Sequence, residues 1–384
     1  MEKTVVEEMK EKSSLSEIAQ VFFKLGLISF GGPAAHISMM EEEVVNKRKW
    51  MTRQHFLDLV GATNLIPGPN STEMTMHCGH ERAGVPGLFV AGAAFIFPAV
   101  VLTGILAYLY TAYGELPNVA PFILGIKPAV LAIIASAILK LGKKALKNWE
   151  LAVLGSLVLI ASLLGVNEIL ALLSGGILGA FYFHLKANRN KDLRSFLPLF
   201  LLELPNFSPQ AIYSMKIFLT FLKVGAVLYG SGYVLFAYLD SELVTRGWLS
   251  RQQLIDAIAI GQFTPGPVLS TATFVGYQLN GLWGAVAATV GIFLPSFLFV
   301  WILNPLVPKM RKSKILSYFL DSVNVAAVAI MLTVLIVMSV DTLQDWRSIL
   351  IALLSVVMIF GLKKNNAVWA VLGGSLLGYF LSFI

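Results

Sequence analysis

"FFKLGLISFGG" at residues 22–32 returns as "FLKVGAVLYGS" at 221–231, pairing Lys24 with Lys223, Gly26 with Gly225 and Gly31 with Gly230 at an offset of 199. The correspondence continues outward from there. Trp50 pairs with Trp248, Asp58 with Asp256, and Pro67-Gly68-Pro69 with Pro265-Gly266-Pro267. "GHERAGVPGLFVAGAAFIFPAV" at 79–100 then follows "GYQLNGLWGAVAATVGIFLPSF" at 276–297, with Gly79, Gly87 and Pro98 opposite Gly276, Gly284 and Pro295. Such an ordered series indicates an internal duplication. It divides the chain into a first repeat at 1–185, a connector at 186–213 and a second repeat at 214–384. The connector carries "FLPLFLLELPNF", a stretch expected to rest in a membrane interface.

Of the 384 residues, 57% are hydrophobic and 13% charged, with a mean hydropathy of +0.75. A soluble domain carries roughly 25% charged residues, so this is an all-α integral membrane protein. Continuous rather than alternating apolar runs exclude a barrel. Runs long enough for a hydrocarbon core of about 30 Å lie near 86–110, 119–140, 150–164, 168–185, 283–303, 315–339, 347–361 and 366–383, with mixed candidates near 17–45 and 212–240. The hydrophilic first sixteen residues show no cleaved signal peptide, and the single Cys78 excludes an internal disulfide. The net charge of +7 comes from clusters between apolar runs, including 47–53, 140–147, 186–194, 309–314 and 363–364. That pattern marks cytoplasmic loops rather than a nucleic-acid surface. It sends 86–110 outward and 283–303 inward, so the repeats are inverted, as in many secondary transporters. Five crossings per half give about ten spanning helices and an outside N-terminus, although Gly31-Gly32-Pro33 leaves open a broken or re-entrant first element.

"LIPGPN" at 65–70 and "FTPGPV" at 263–268 supply two further re-entrant hairpins. Proline stops the entering helix, and glycine lets the backbone turn and come close to a ligand. The next helix then starts inside the membrane with Asn70, Ser71 or Thr72 as candidate caps, and its unpaired N–H groups form an anion site. The candidate substrate site comprises Pro67, Gly68, Pro69, Asn70, Ser71 and Thr72 with Thr264, Pro265, Gly266, Pro267, Ser270 and Thr271. Lys24 and Lys223, beside Gly31, Gly32 and Gly230, are expected as two inward ammonium groups for a doubly charged oxyanion, Ser29 adding a hydroxyl donor. The alternatives are packing kinks at the turns and lysines that snorkel to an interface.

With "LISFGGPAAHISMMEEEVV" at 27–45, "LIPGPNSTEMTMHCGHERAGVPG" at 65–87 and "GQFTPGPVLSTATFVGYQLNG" at 261–281, the chain resembles the chromate ion transporter family over nearly its whole length. The resemblance implies a bacterial inner-membrane carrier that exports chromate, a tetrahedral dianion close to sulfate in shape and charge. Sulfate enters as competitor or exchange partner, and a carrier for sulfate or another oxyanion is the alternative. The second repeat departs from the first motif, with Ser231-Gly232-Tyr233 against Gly32-Pro33-Ala34 and Leu235 against His36. Glu73 is the first candidate for proton coupling, followed by His36 and His77. Glu43, Glu242, Asp58 and Asp256 recur and could equally be span ends held by ion pairs. A remote alternative is a metal-dependent membrane enzyme using Glu73, His77 and His80, which share one helix face. No G-x-x-x-x-G-K-[ST] stretch is present, so an ion gradient or exchange is the expected drive. No cofactor is expected, and a homodimer is a possible assembly.

Overall fold

The computed structural model describes residues 14–30, 32–114, 116, 119–187, 211–229, 232–306, 310, 313–361 and 367–383. The "FLPLFLLELPNF" stretch lies outside them. Among the described residues there is no strand. The first half runs α1 (Leu15–Ile28), α2 (Pro33–Met40) continued by a π-turn (Glu41–Lys47), α3 (Arg53–Thr63), α4 (Asn70–Tyr113), α5 (Ala120–Ala145), α6 (Trp149–Leu163) and α7 (Glu168–Ala187). The second half repeats that order: α8 (Ala211–Val227), α9 (Leu235–Leu239) with its π-turn (Asp240–Val244), α10 (Arg251–Phe263), α11 (Thr271–Leu303), α12 (Lys314–Thr342), α13 (Trp346–Gly361) and α14 (Ala367–Leu381).

Local chemistry sets the boundaries. Thr52 accepts the His55 N–H at 3.2 Å to start α3. At the matching position Ser250 and Gln253 form a reciprocal capping box that starts α10. Either cap contributes about 1 kcal/mol. Gly32, at φ 82°, and Pro33 at the first position of α2 separate α1 from α2. Within α4 the chain reverses at Ala83 and Gly84 (φ 64°), and within α11 at Asn280 and Gly281 (φ 56°). The reversed arms touch backbone to backbone, Gly79 on Gly87 and Gly276 on Gly284, where a Cβ on either glycine would strike the other's carbonyl.

Contacts sort the helix ends into two groups. Glu17 in the first turn of α1 pairs with Arg48 at 3.0 Å, Arg53 with Glu41 at 2.8 Å, His55 with Glu81 at 3.1 Å, and His80 contacts Asn304 at 3.0 Å. All these hairpin ends therefore lie on one side, with the 47–53 basic cluster. On the opposite side Tyr213 stacks on Trp248, Asn280 donates to Ser214 at 2.7 Å, Asn167 donates to Ser241 at 2.9 Å, and Arg251 pairs with Asp341 at 3.0 Å. Continuous crossings expected over 17–45 and 212–240 are corrected here: both stretches are broken. The fourteen residues of α1 reach only about 21 Å at 1.5 Å per residue. Because Glu17 returns to Arg48, the start of α1 shares the basic side rather than the outer one, the re-entrant case of the two left open above. Five described helices are long and apolar enough to cross a bilayer, those at Asn70–Tyr113, Ala120–Ala145, Glu168–Ala187, Val268–Leu306 and Lys314–Thr342, and three shorter apolar helices accompany them.

Packing follows two bodies rather than two halves. α1 lies on α4, α8 on α11, and α4 on α11, forming a hairpin body. α5 packs on α13 and α14, and α12 on α6 and α7, so each half's spans clasp the other's. At the α5–α14 crossing Gly125 meets Gly374 and Gly378, a small-residue contact that lets backbones approach. Large apolar side chains such as Phe97, Leu157 and Trp283 cover the outside, the surface a bilayer solvates.

Candidate functional site

A cavity of ≈ 1010 Å³ opens between the hairpin body and the bundle of spans. Its mouth carries Lys140, Lys143, Lys144 and Lys147, and its wall follows α5 from Ala145 back to Ile133, a run of about 18 Å along the helix. The inner end is built from both breaks and both Pro-Gly-Pro turns: Ser29 and Gly32 from the α1–α2 break, Gly232 from its counterpart, Asn70 at the start of α4, and Gln262, Thr264 and Gly266 at the end of α10. Lys147 pairs with Asp321 at 2.6 Å; the other three lysines at the open mouth attract anions, and low-dielectric walls focus that attraction inward.

The two turns are held by a reciprocal exchange. Gly68 donates its N–H to the Leu228 carbonyl at 2.7 Å, and Gly266 donates to the Ser29 carbonyl at 2.8 Å. Leu228 and Ser29 occupy the same repeat position, so each half's turn is fastened to the break of the other. The left-handed φ values of Gly68 (144°) and Gly266 (88°) make this possible. The amides of both turn glycines are therefore taken. Donors remain nearby. Ser29 Oγ and Gln262 Nε2 are buried without a hydrogen-bond partner, and α4 starts at Asn70 behind Pro69 with no side-chain cap. Asn70 itself donates to Asn64 Oδ1 at 2.8 Å. Uncapped helix N–H groups and unpaired neutral donors at the end of a cationic vestibule form a place for an oxyanion.

Of the expected site residues, the cavity gathers Gly32, Asn70, Thr264 and Gly266. Pro67, Gly68, Pro69, Ser71, Thr72, Pro265, Pro267, Ser270 and Thr271 stand buried behind its wall, where Ser270 accepts from Thr103 at 3.3 Å. Gly31 and Gly230 lie outside the described residues. The lysines are placed elsewhere. Lys223 pairs with Glu242 at 2.6 Å and Lys24 sits exposed in a shallow cleft with Glu41, Glu42 and Glu43, so both face the acidic π-turns instead of the cavity. Each π-turn carries a buried glutamate at one repeat position: Glu43 is held by Lys47 and Arg48, Glu242 by Lys223 and Arg246. The ion-pair reading of those acids is the one the geometry bears out.

Glu73 is fully buried, with both carboxyl oxygens unpartnered. It folds back over Gly68 toward Ser296 Oγ, so a Cβ on Gly68 would meet both groups. His36 packs edge-on against Phe95, and His77 lies one turn beyond Glu73; all four ring nitrogens lack partners. Among the described residues no three His, Cys, Asp or Glu side chains gather as metal ligands, and the Glu73/His77/His80 face does not form such a site.

Sequence reasoning passed over Asn64 and Gln262, which line the cavity from the two halves. The signal was present, since each stands three residues before the first proline of its turn. The lysines of 140–147 were read for sidedness alone, whereas they also form the mouth.

The chromate transporter family profile matches residues 16–180 and, a second time, 215–379. A probable chromate transport protein of Synechococcus elongatus is 31% identical over 92% of this chain and 91% of its own length. Chromate transport proteins of Cupriavidus metallidurans and Pseudomonas aeruginosa are 29% and 30% identical, over 95% and 80% of this chain and 92% and 77% of their own. No solved structure matches. These relatives are transporters and not enzymes, and with two profile matches covering most of its length the chain belongs to the chromate transporter family, as a multi-pass membrane protein.

Proposed function

We propose that this protein is a secondary carrier that exports chromate across the bacterial inner membrane by alternating access and so confers chromate resistance. The observation that carries the reading is the cavity that runs from the lysine cluster to the two Pro-Gly-Pro turns. With positive-inside loops, that cavity faces the cytoplasm, from which an exporter takes its load. The repeats at 1–185 and 214–384 are inverted, with two half-depth hairpins and four crossings each among the described residues. Support comes from the two groups of helix ends and from the matched reversals in α4 and α11. The site lies near the midplane between the repeats, as in other inverted-repeat carriers. The two bodies that move are the hairpins (α1–α4 and α8–α11) and the bundle of spans (α5–α7 and α12–α14). The oxyanion is held by Ser29, Gln262, Thr264 and the start of α4, and the lysines at the mouth recruit it.

Glu73 carries the coupled proton. It is an unpaired carboxyl at the turn itself, and the second repeat has Thr271 in its place. His77, one helical turn toward the basic side, relays it. Labelled chromate uptake into inverted vesicles, with and without a pH gradient and with excess sulfate, tests the whole reading. Gradient-driven uptake that sulfate suppresses and that Glu73→Gln uncouples is expected; folded protein that moves neither anion overturns it.

A further inference from the structure

Across the hairpin body from the open cavity, three polar side chains meet in an otherwise apolar contact. Lys127 Nζ on α5 lies 3.3 Å from Asp256 Oδ1 on α10, and Tyr110 at the end of α4 donates to Asp256 Oδ2 at 2.6 Å. Lys127 is 6% exposed and Asp256 3%. A buried ion pair is a poor source of stability, because desolvation offsets most of the Coulomb attraction, while breaking it by removing one partner is costly. Its presence between two packed bodies therefore asks for another explanation.

The repeat supplies one. Trp149 corresponds to Trp346, and α5 and α12 end at matching residues, Ala145 and Thr342. Counted back from these, Lys127 corresponds to Asn324, which lines the open cavity. Asp256 corresponds to Asp58 on α3. On the basic side α3 faces that cavity through Val60 and Asn64. On the opposite side its counterpart α10 packs directly on α5 and α14. The triad thus stands where the inverted copy of the vestibule would open, and it joins the hairpin body, through Tyr110 and Asp256, to the bundle of spans, through Lys127.

We propose that Tyr110, Lys127 and Asp256 are the outer gate of the transport cycle, closed in this conformation. This rests on the alternating-access reading and adds to it three positioning residues that touch no substrate here. When the bodies shift, Lys127 parts from Asp256, both become hydrated, and the Lys127 ammonium lines the outer vestibule through which the anion leaves. The cavity around Asn324 closes in the same movement.

Thiol accessibility in membrane vesicles tests the gate without any transported anion. Cys78 is buried and is replaced by Ser as background. One reporter is Leu131→Cys, one turn inward from Lys127; the other is its repeat counterpart Val328→Cys, which lines the open cavity. With a membrane-impermeant maleimide, the outer reporter should be protected and the inner one labelled from the basic side. Lys127→Met and Asp256→Asn should each raise outer labelling about tenfold or more, the factor given by 1.4 kcal/mol of bias, and slow inner labelling reciprocally. Tyr110→Phe, the mildest change, should raise it less. The exchange Lys127→Asp with Asp256→Lys should restore protection, which a merely structural loss would not. Protection unchanged in both single variants, or an exchange that fails to restore it, overturns the gate. An inner reporter unlabelled from the basic side in the background protein would instead defeat the alternating-access reading beneath it.

Discussion

Gly266→Ala isolates the packing at the second turn, because the chain contains a matched control. Gly266 and Gly165 share nearly the same backbone angle, φ 88° and 89°. A Cβ at Gly165 meets nothing within 4 Å, whereas at Gly266 it would come within 2.8 Å of the Ala99 Cβ and 3.4 Å of the Gly26 carbonyl oxygen. The left-handed conformation costs either alanine about 1–2 kcal/mol. Overpacking at Gly266 adds about 1–3 kcal/mol, and backbone that shifts to relieve it weakens the 2.8 Å bond to Ser29. Gly165→Ala should therefore lose roughly 1–2 kcal/mol and Gly266→Ala roughly 2–5 kcal/mol, from the same two sources. At about 2 °C per kcal/mol, the lower end for large domains, Gly266→Ala should melt roughly 2–6 °C below Gly165→Ala in detergent. Vesicle uptake should fall in Gly266→Ala alone. Equal midpoints and equal uptake for the two variants would refute the view that the turn is locked by close packing and by its bond to the other half.

Neutralising Lys140, Lys143 and Lys144 together to Gln should raise the KM for a divalent oxyanion about tenfold at low ionic strength. That difference should shrink in 1 M KCl, where the screening length falls to about 3 Å; a salt-independent change would point to a structural cause. Lys223→Met should leave oxyanion affinity unchanged by equilibrium binding, since Lys223 faces Glu242, and lower stability by about 1–3 kcal/mol, because it strips one of two cations from a buried carboxylate that keeps Arg246. Asp345 starts α13 by accepting the Ser348 N–H at 2.7 Å, and that bond holds its carboxyl below the usual aspartate range. A depressed folded pKa gives stability that is present above the unfolded value and lost as pH falls through the folded one. Asp345→Ala should therefore cost about 1 kcal/mol at neutral pH, and the gap in melting temperature from wild type should close as pH drops below about 3.9.

Much of the fold is legible in the sequence because the duplication is. Paired prolines and glycines fix the breaks, and basic clusters fix the sides, so the Pro-Gly-Pro hairpins emerge at their residues. The first hairpin of each half is harder. "FFKLGLISF" is apolar enough to pass for a span, and only the pairing of Glu17 with Arg48 shows that the chain turns back. Hydropathy records the cost of leaving water, not the direction of travel. At the site, residue type points to donors near the turns but not to their occupancy: nothing local shows that the Gly68 and Gly266 amides are used by carbonyls some two hundred residues away. Lys24 and Lys223 mislead for a related reason. A lysine in an apolar run signals expense; Lys223 meets it with Glu242 on a neighbouring π-turn, and Lys24 stands exposed in the cleft beside the other π-turn, both away from the cavity.

The exchanged bonds between Gly68 and Leu228 and between Gly266 and Ser29 also bear on how such a chain is assembled during synthesis. Until the second half is inserted, the first presents an open amide and an open carbonyl at half-depth in hydrocarbon, each costing several kcal/mol. In the inverted-repeat arrangement proposed above, a half produced alone lacks its complement, a copy lying in the membrane the other way up. Joining the two in one polypeptide fixes their ratio at one to one.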